Sequence, residues 1–204
     1  SGKATLEEAR GAVDFQLKLP AGLPGSYSAP EIYKSSGGTL NFTLDTDNTN
    51  QILKSFGSER LLPDELNGKT FSVKIPAQIT ATYNGPDNNR IFIGQGRSPE
   101  LVAPGSDVTA IRDALLALPF LPDSLRTQLS SINDWQRTFV VPNVGGSSQE
   151  VDVAGAQGVF IKSPDGNSKG SDISSLVWQR AGVVYAVSGN LTLEQALDIA
   201  DSMK

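Results

Sequence analysis

The sequence predicts an α+β fold: a mainly antiparallel sheet with a helical hairpin and terminal helices packed on one face. Three observations predict it. Short apolar alternations recur along most of the chain, the period switches to helical between Pro104 and Trp135, and matching helix-start signatures stand near both ends. The connections between the alternating segments are long enough for hairpins and too short for the covering helix of a parallel crossover. Gly at 20 and Pro at 12 of 204 residues, with charged residues at only 19%, suit a loop-rich protein that contains β-structure.

Thr5-Leu6-Glu7-Glu8 is a capping box that opens a short helix toward Val13. Phe15, Leu17 and Leu19 then alternate with Gln16 and Lys18 in an extended segment that Pro20 ends. Ile32 and Tyr33, the turn Ser35-Ser36-Gly37-Gly38, and Leu40, Phe42 and Leu44 on one face predict a hairpin. Strands are expected around Phe71 to Ile75, Ile79 to Tyr83 and Ile91 to Ile93.

Val108, Ile111, Leu115 and Leu118 share one helical face, and Leu125, Leu129 and Ile132 repeat the stripe after Pro122-Asp123, which predicts a helical hairpin over 107–133. Further strands are expected at Phe139 to Val141, Val151 to Val153 and Val159 to Ile161. Leu176-Val177-Trp178 and Val183 to Val187 form a hairpin around Ala181-Gly182, and Thr192 with Gln195 caps a last helix. The whole chain, 1–204, reads as one domain with 51–153 as an elaboration.

Zero His and zero Cys remove the Ser-His-Asp triad, the Cys-His dyad, ordinary zinc sites, iron–sulfur clusters and disulfides together. No Ser-x-x-Lys motif supplies an alternative nucleophile, and without His a serine lacks its usual base. A formal net charge of −5 argues against nucleic acid as a partner. No apolar run reaches the length of a membrane helix, and the absence of Cys fits either side of a membrane. The opening Ser1-Gly2 reads as a cloning remnant, with an anchor expected upstream of it.

Each remaining candidate for chemistry has a structural explanation beside it. Glu7 with Glu8 and Asp64 with Glu65 are the nearest carboxylate pairs for a hydrolase, but the first suits a helix first turn and the second a solvated loop. Asp45, Asp47 and Asn48, and separately Asp165, Asn167 and Asp172, offer hard oxygen ligands for calcium without EF-hand spacing; turns require the same residues. Gly94-Gln95-Gly96-Arg97 lacks the third glycine and the prompt helix of a phosphate loop. No cofactor or metal is expected. Trp178 reads as core, whereas Tyr83, Phe120 and Trp135 are the residues expected to line a small apolar ligand cleft between helical hairpin and sheet.

The stretch from Leu176-Val177-Trp178-Gln179-Arg180-Ala181-Gly182 through Tyr185, Gly189-Asn190 and Thr192 to Ala200-Asp201-Ser202 resembles a bacterial family of uncharacterised extracytoplasmic domains. Phe15 to Tyr27, with Leu23-Pro24-Gly25, looks like that family's opening segment. The resemblance implies a place downstream of a single membrane helix, in anti-sigma-factor-like regulators, or in predicted lipoproteins. A looser similarity to lipoprotein-carrier and sigma-regulator sensor domains implies a curved sheet with helices on its concave side. The expected function is a non-enzymatic extracytoplasmic sensor or binding domain, membrane-anchored, with a small apolar ligand or a protein as partner. Two alternatives stand beside it: a carboxylate-based hydrolase without His or Cys, and a structural or adhesive surface module.

Overall fold

A computed structural model of the chain describes residues 2–58, 60–103, 105–117, 147–162 and 173–203. The fold is α+β, and its strands pair antiparallel throughout. The packing divides it into two compact units: 1–37, 76–98 and 141–204 in the first, 38–75 and 99–140 in the second.

The first unit is built on an eight-stranded open sheet. Its strands are β1 (Gly2–Ala4), β2 (Glu31–Ser35), β5 (Gln78–Asn84), β6 (Arg90–Arg97), β8 (Ser147–Val153), β9 (Ala156–Lys162), β10 (Ser174–Arg180) and β11 (Val183–Gly189). They lie in the order β1-β2-β5-β6-β11-β10-β9-β8. Alternation puts every second residue on one face, and the register lines those residues up across six strands. Phe160, Leu176, Val187, Ile93, Ala81 and Ile32 stand directly opposite one another in turn, each at most 5% exposed. In the neighbouring row Trp178 stacks on Tyr185, ring centroids 5.3 Å apart and planes 14° from parallel. Both rings are buried, as a core tryptophan requires.

Two helices contribute to the same core, α1 (Leu6–Gly11) and α4 (Leu193–Ser202). Both begin with the capping boxes read from the sequence. The Thr5 hydroxyl accepts the Glu8 N–H at 3.2 Å while Glu8 accepts the Thr5 N–H at 2.8 Å, and Thr192 with Gln195 does the same at 3.2 and 2.9 Å. Each cap satisfies donors that the first turn leaves orphaned, worth about 1 kcal/mol. α1 buries Ala9, and α4 buries Ala196, Ile199 and Ala200.

Between α1 and β2 the chain is irregular and adds no strand to the sheet, and Leu17 and Pro20 show how it is held. Leu17 is buried, and Pro20 bridges to Met203 at the end of α4. The buried Gln95 of β6 supplies the main tether: its side-chain amide accepts the Lys18 N–H at 2.9 Å and donates to the Lys18 carbonyl at 2.6 Å. Arg97, two residues on, donates to Asp14 at 3.0 Å and to the Ala181 carbonyl at 3.0 Å, and lies over the Phe15 ring. The Gly94-to-Arg97 segment is therefore strand, and its polar side chains hold the covering segment.

The second unit has a three-stranded sheet, β3 (Gly38–Thr43), β4 (Thr70–Ile75) and β7 (Glu100–Val102), in the order β3-β4-β7. Helices α2 (Thr46–Ser55) and α3 (Gly105–Leu116) belong to this unit, whose core joins Leu53, Leu62, Leu66, Phe71 and Ala114. The expected hairpin over 32–44 does not form. β2 pairs with β1 and β5, β3 pairs with β4, and the Ser36-Gly37 link passes from one sheet to the other. The Asp45-to-Asn48 run is the start of α2: the Asp45 carboxylate accepts the Asn48 N–H at 3.0 Å and its side-chain amide at 2.5 Å. The segment 51–153 likewise contains β5 and β6 of the large sheet as well as parts of the second unit. Of the helical hairpin over 107–133, α3 covers the first arm; the second arm and the expected strand at Phe139 to Val141 lie outside the described residues.

The β10–β11 hairpin turns through Ala181 at φ 51° and Gly182 at φ 73°, a two-residue turn with both central residues left-handed. Glycine adopts this freely, but alanine is strained there by roughly 1 kcal/mol, and Asn tolerates it best. Ala181→Asn is expected to stabilise the protein by about 0.5–1 kcal/mol in urea melts; an unchanged or lower midpoint would show that the turn is not strained.

Candidate binding surface

Tyr83, Phe120 and Trp135 are the residues expected to line a cleft. Tyr83 sits in β5 opposite Ile91, buried at 7% exposure within the large core. Phe120 and Trp135 lie outside the described residues, as does the Asp165-to-Asp172 run. The carboxylate candidates have structural work to do: Glu8 completes the α1 cap and Asp45 that of α2, while Asp64 and Glu65 form a 3-10 turn after Pro63. Among the described residues no three acidic side chains gather as a metal site would require.

The second unit presents a different kind of surface. Of the eight large hydrophobic residues exposed among the described residues, six belong to it: Leu40, Phe42, Ile52, Phe56, Ile75 and Val102. Register explains how three of them come together. Phe42 stands opposite Phe71, Leu40 opposite Val73 and Gly38 opposite Ile75, so Leu40, Phe42, Val73 and Ile75 share the face that carries Phe71. The Phe71 ring is 1% exposed, and Phe42 stacks on it at 5.5 Å while remaining 39% exposed. The core face of the small sheet thus continues outward along its edge strand as an apolar stripe, with Leu40 at 58% exposure. Alternation alone reads Leu40 and Phe42 as a buried strand face. The signal of exposure is weaker: the intervening Thr39, Asn41 and Thr43 are polar, and β4 ends in Lys74-Ile75 with no further apolar run.

Beside α2 lies an open depression of about 570 Å3, whose lining includes Asp47, Asn50, Lys54, Leu62 and Asp64. Asn50 holds its wall as Gln95 holds the covering segment of the first unit: the side-chain amide donates to the Leu62 carbonyl at 2.9 Å and accepts the Leu62 N–H at 2.8 Å. Asp47 and Asp64, drawn from two separate acidic runs of the sequence, face this one depression. In the first unit a smaller opening of about 470 Å3 is lined by Gly2, Ala12, Lys34, Ser35, Ser36 and Ala77.

Burial pushes the Tyr83 phenol above its ordinary range, and burial does the same to Tyr185 against the opposing charges of Arg180 and Arg97. The folded state therefore holds the neutral phenol. That contribution is complete below the unfolded value near 10 and is lost as pH rises through the raised folded values. Tyr185→Phe keeps the ring against Trp178, so its melting temperature is expected to fall less steeply than the native protein's above about pH 10; parallel alkaline curves would refute this.

Residues 127–203 match the model of a family described as a domain of unknown function (DUF4367). No curated protein and no solved structure matches the chain. The family match spans β8 to α4, the part that carries the Trp178–Tyr185 stack and the Thr192 cap, and it makes the C-terminal portion of this chain similar to an uncharacterised domain family.

Proposed function

We propose that the chain is a non-enzymatic binding or sensor module, exported and membrane-anchored, in which the large sheet is the scaffold and the second unit presents the binding surface. The observation that carries this reading is the concentration of exposed apolar side chains in the second unit, with Leu40, Phe42 and Ile75 on one face of a three-stranded sheet. Contiguous exposed apolar surface on a folded domain marks a place where an apolar ligand or a protein docks. Its occupant would regulate by binding two arrangements of the module unequally, since equal affinity shifts no population.

A structural or adhesive surface role is the second reading. It is favoured by β3, an edge strand whose six residues are all exposed.

The binding surface is tested with the dye 8-anilino-1-naphthalenesulfonate. Leu40→Ser with Phe42→Ser is expected to weaken dye binding by about tenfold or more, because each large apolar side chain is worth roughly 1.5–3 kcal/mol of apolar contact. Equal dye binding by native and substituted protein, with the circular dichroism unchanged, would sink the reading. Export is tested on the gene: a membrane helix or lipoprotein signal is expected to be encoded upstream of Ser1, and its absence from the full reading frame would refute export and tether together.

A further inference from the structure

Among the described residues, β1 and β8 end the large sheet, and β3 and β7 end the small one. Natural sheets blunt such edges with charge, proline, bulges or brevity, because an unpaired edge is a template for another strand. Three of these four follow the rule: β1 carries Lys3, β7 carries Glu100 and is three residues long, and β8 carries Glu150 and Asp152. β3, Gly-Thr-Leu-Asn-Phe-Thr, carries no charge and no proline over six residues and pairs one-to-one with β4 without a bulge.

Its backbone groups can be assigned to sides. Just beyond β3, the Leu44 N–H donates to the Lys69 carbonyl and the Leu44 carbonyl accepts the Gly68 N–H, so both groups of Leu44 face the β4 side. In an antiparallel strand the N–H and C=O of one residue point to the same side and successive residues alternate. Leu40 and Phe42 therefore bond toward β4, and the free edge offers the N–H and C=O of Thr39, Asn41 and Thr43.

That row is self-complementary. A two-fold axis through Asn41 sets Asn41 opposite Asn41 of a second copy and Thr39 opposite Thr43, each a hydrogen-bonded pair using only outward groups. The same register sets Leu40 opposite Phe42 of the second copy in the closer, non-hydrogen-bonded position, on the face where both are exposed. No like charges meet. We propose that β3 is a homodimerisation edge, joining two copies antiparallel through Asn41 into a six-stranded sheet. The inference does not depend on export or on a ligand. One added strand pair is a small interface, so association belongs in the range of about 10 μM to 1 mM.

Sedimentation of the full chain across that range should show the mass rising from one chain toward two. Asn41→Lys sets two like charges opposite each other at the axis and should hold the protein at one chain throughout. The sequence has no Cys, so Asn41→Cys introduces a single thiol, and paired Cα atoms about 5.5 Å apart lie within disulfide reach. Oxidised Asn41→Cys should give at least fivefold more covalent dimer than Gln149→Cys on the β8 edge. A native protein of one-chain mass at about 1 mM, dimerisation undiminished by Asn41→Lys, or equal cross-linking of the two thiol variants would each overturn the proposal. Should Asn41→Lys unfold, the thiol comparison decides alone.

Discussion

The register of β6 against β11 is the constraint on which the large unit rests. Val187 opposite Ile93 continues in both directions as an unbroken apolar row from Phe160 to Ile32. A slip of one residue between these two strands would put Ile93, Ala81 and Ile32 on the face opposite to Val187, Leu176 and Phe160, because strand side chains alternate with a period of two. Close approach reinforces the setting at Gly189, where a Cβ atom would lie 2.8 Å from the Arg90 carbonyl oxygen. The Trp178–Tyr185 stack, fixed by the β10–β11 turn, joins the same core as that row.

Side-chain amides do in both units what backbone pairing cannot. Gln95 pairs with both backbone groups of Lys18, and Asn50 pairs with both backbone groups of Leu62. Each satisfies a donor and an acceptor of a segment outside the sheets, where unpaired groups cost roughly 1–3 kcal/mol when buried. Arg97 adds a further attachment, and its guanidinium holds the Asp14 carboxyl below the usual carboxylate range. The polar residues of the Gly-Gln-Gly-Arg segment are accordingly spent on architecture.

The contrast between the two units bears on function. In the large unit the aligned rows and the two helices enclose a continuous core. In the small unit the core face outruns its cover, since Phe71 is fully buried while Phe42, stacked against it, stays partly open. Hydrophobic surface left outside a core weakens solubility, so its position along an uncharged edge strand is a feature that stability alone does not explain.

Both capping boxes, the β10–β11 hairpin and the core tryptophan were legible in the sequence because each depends on residues a few positions apart: Thr5 with Glu8, Thr192 with Gln195, Ala181 with Gly182, Trp178 with Tyr185. Alternation on either side of a Gly-Gly turn is equally consistent with a hairpin over 32–44 and with two strands that separate, and only competition among all strands for partners sends Ile32 to Ala81 and Phe42 to Phe71. The start of α2 was hidden because Asp45 and Asn48 suit a turn as well as a helix cap. Of the expected cleft, Tyr83 became core, since its burial depends on the row beside it and not on its neighbours in sequence. The sequence by itself determined the local chemistry of caps, turns and strand faces. Only the tertiary structure decided which faces meet and that Leu40 and Phe42 stay open, because burial is a property of what packs across a face from distant parts of the chain.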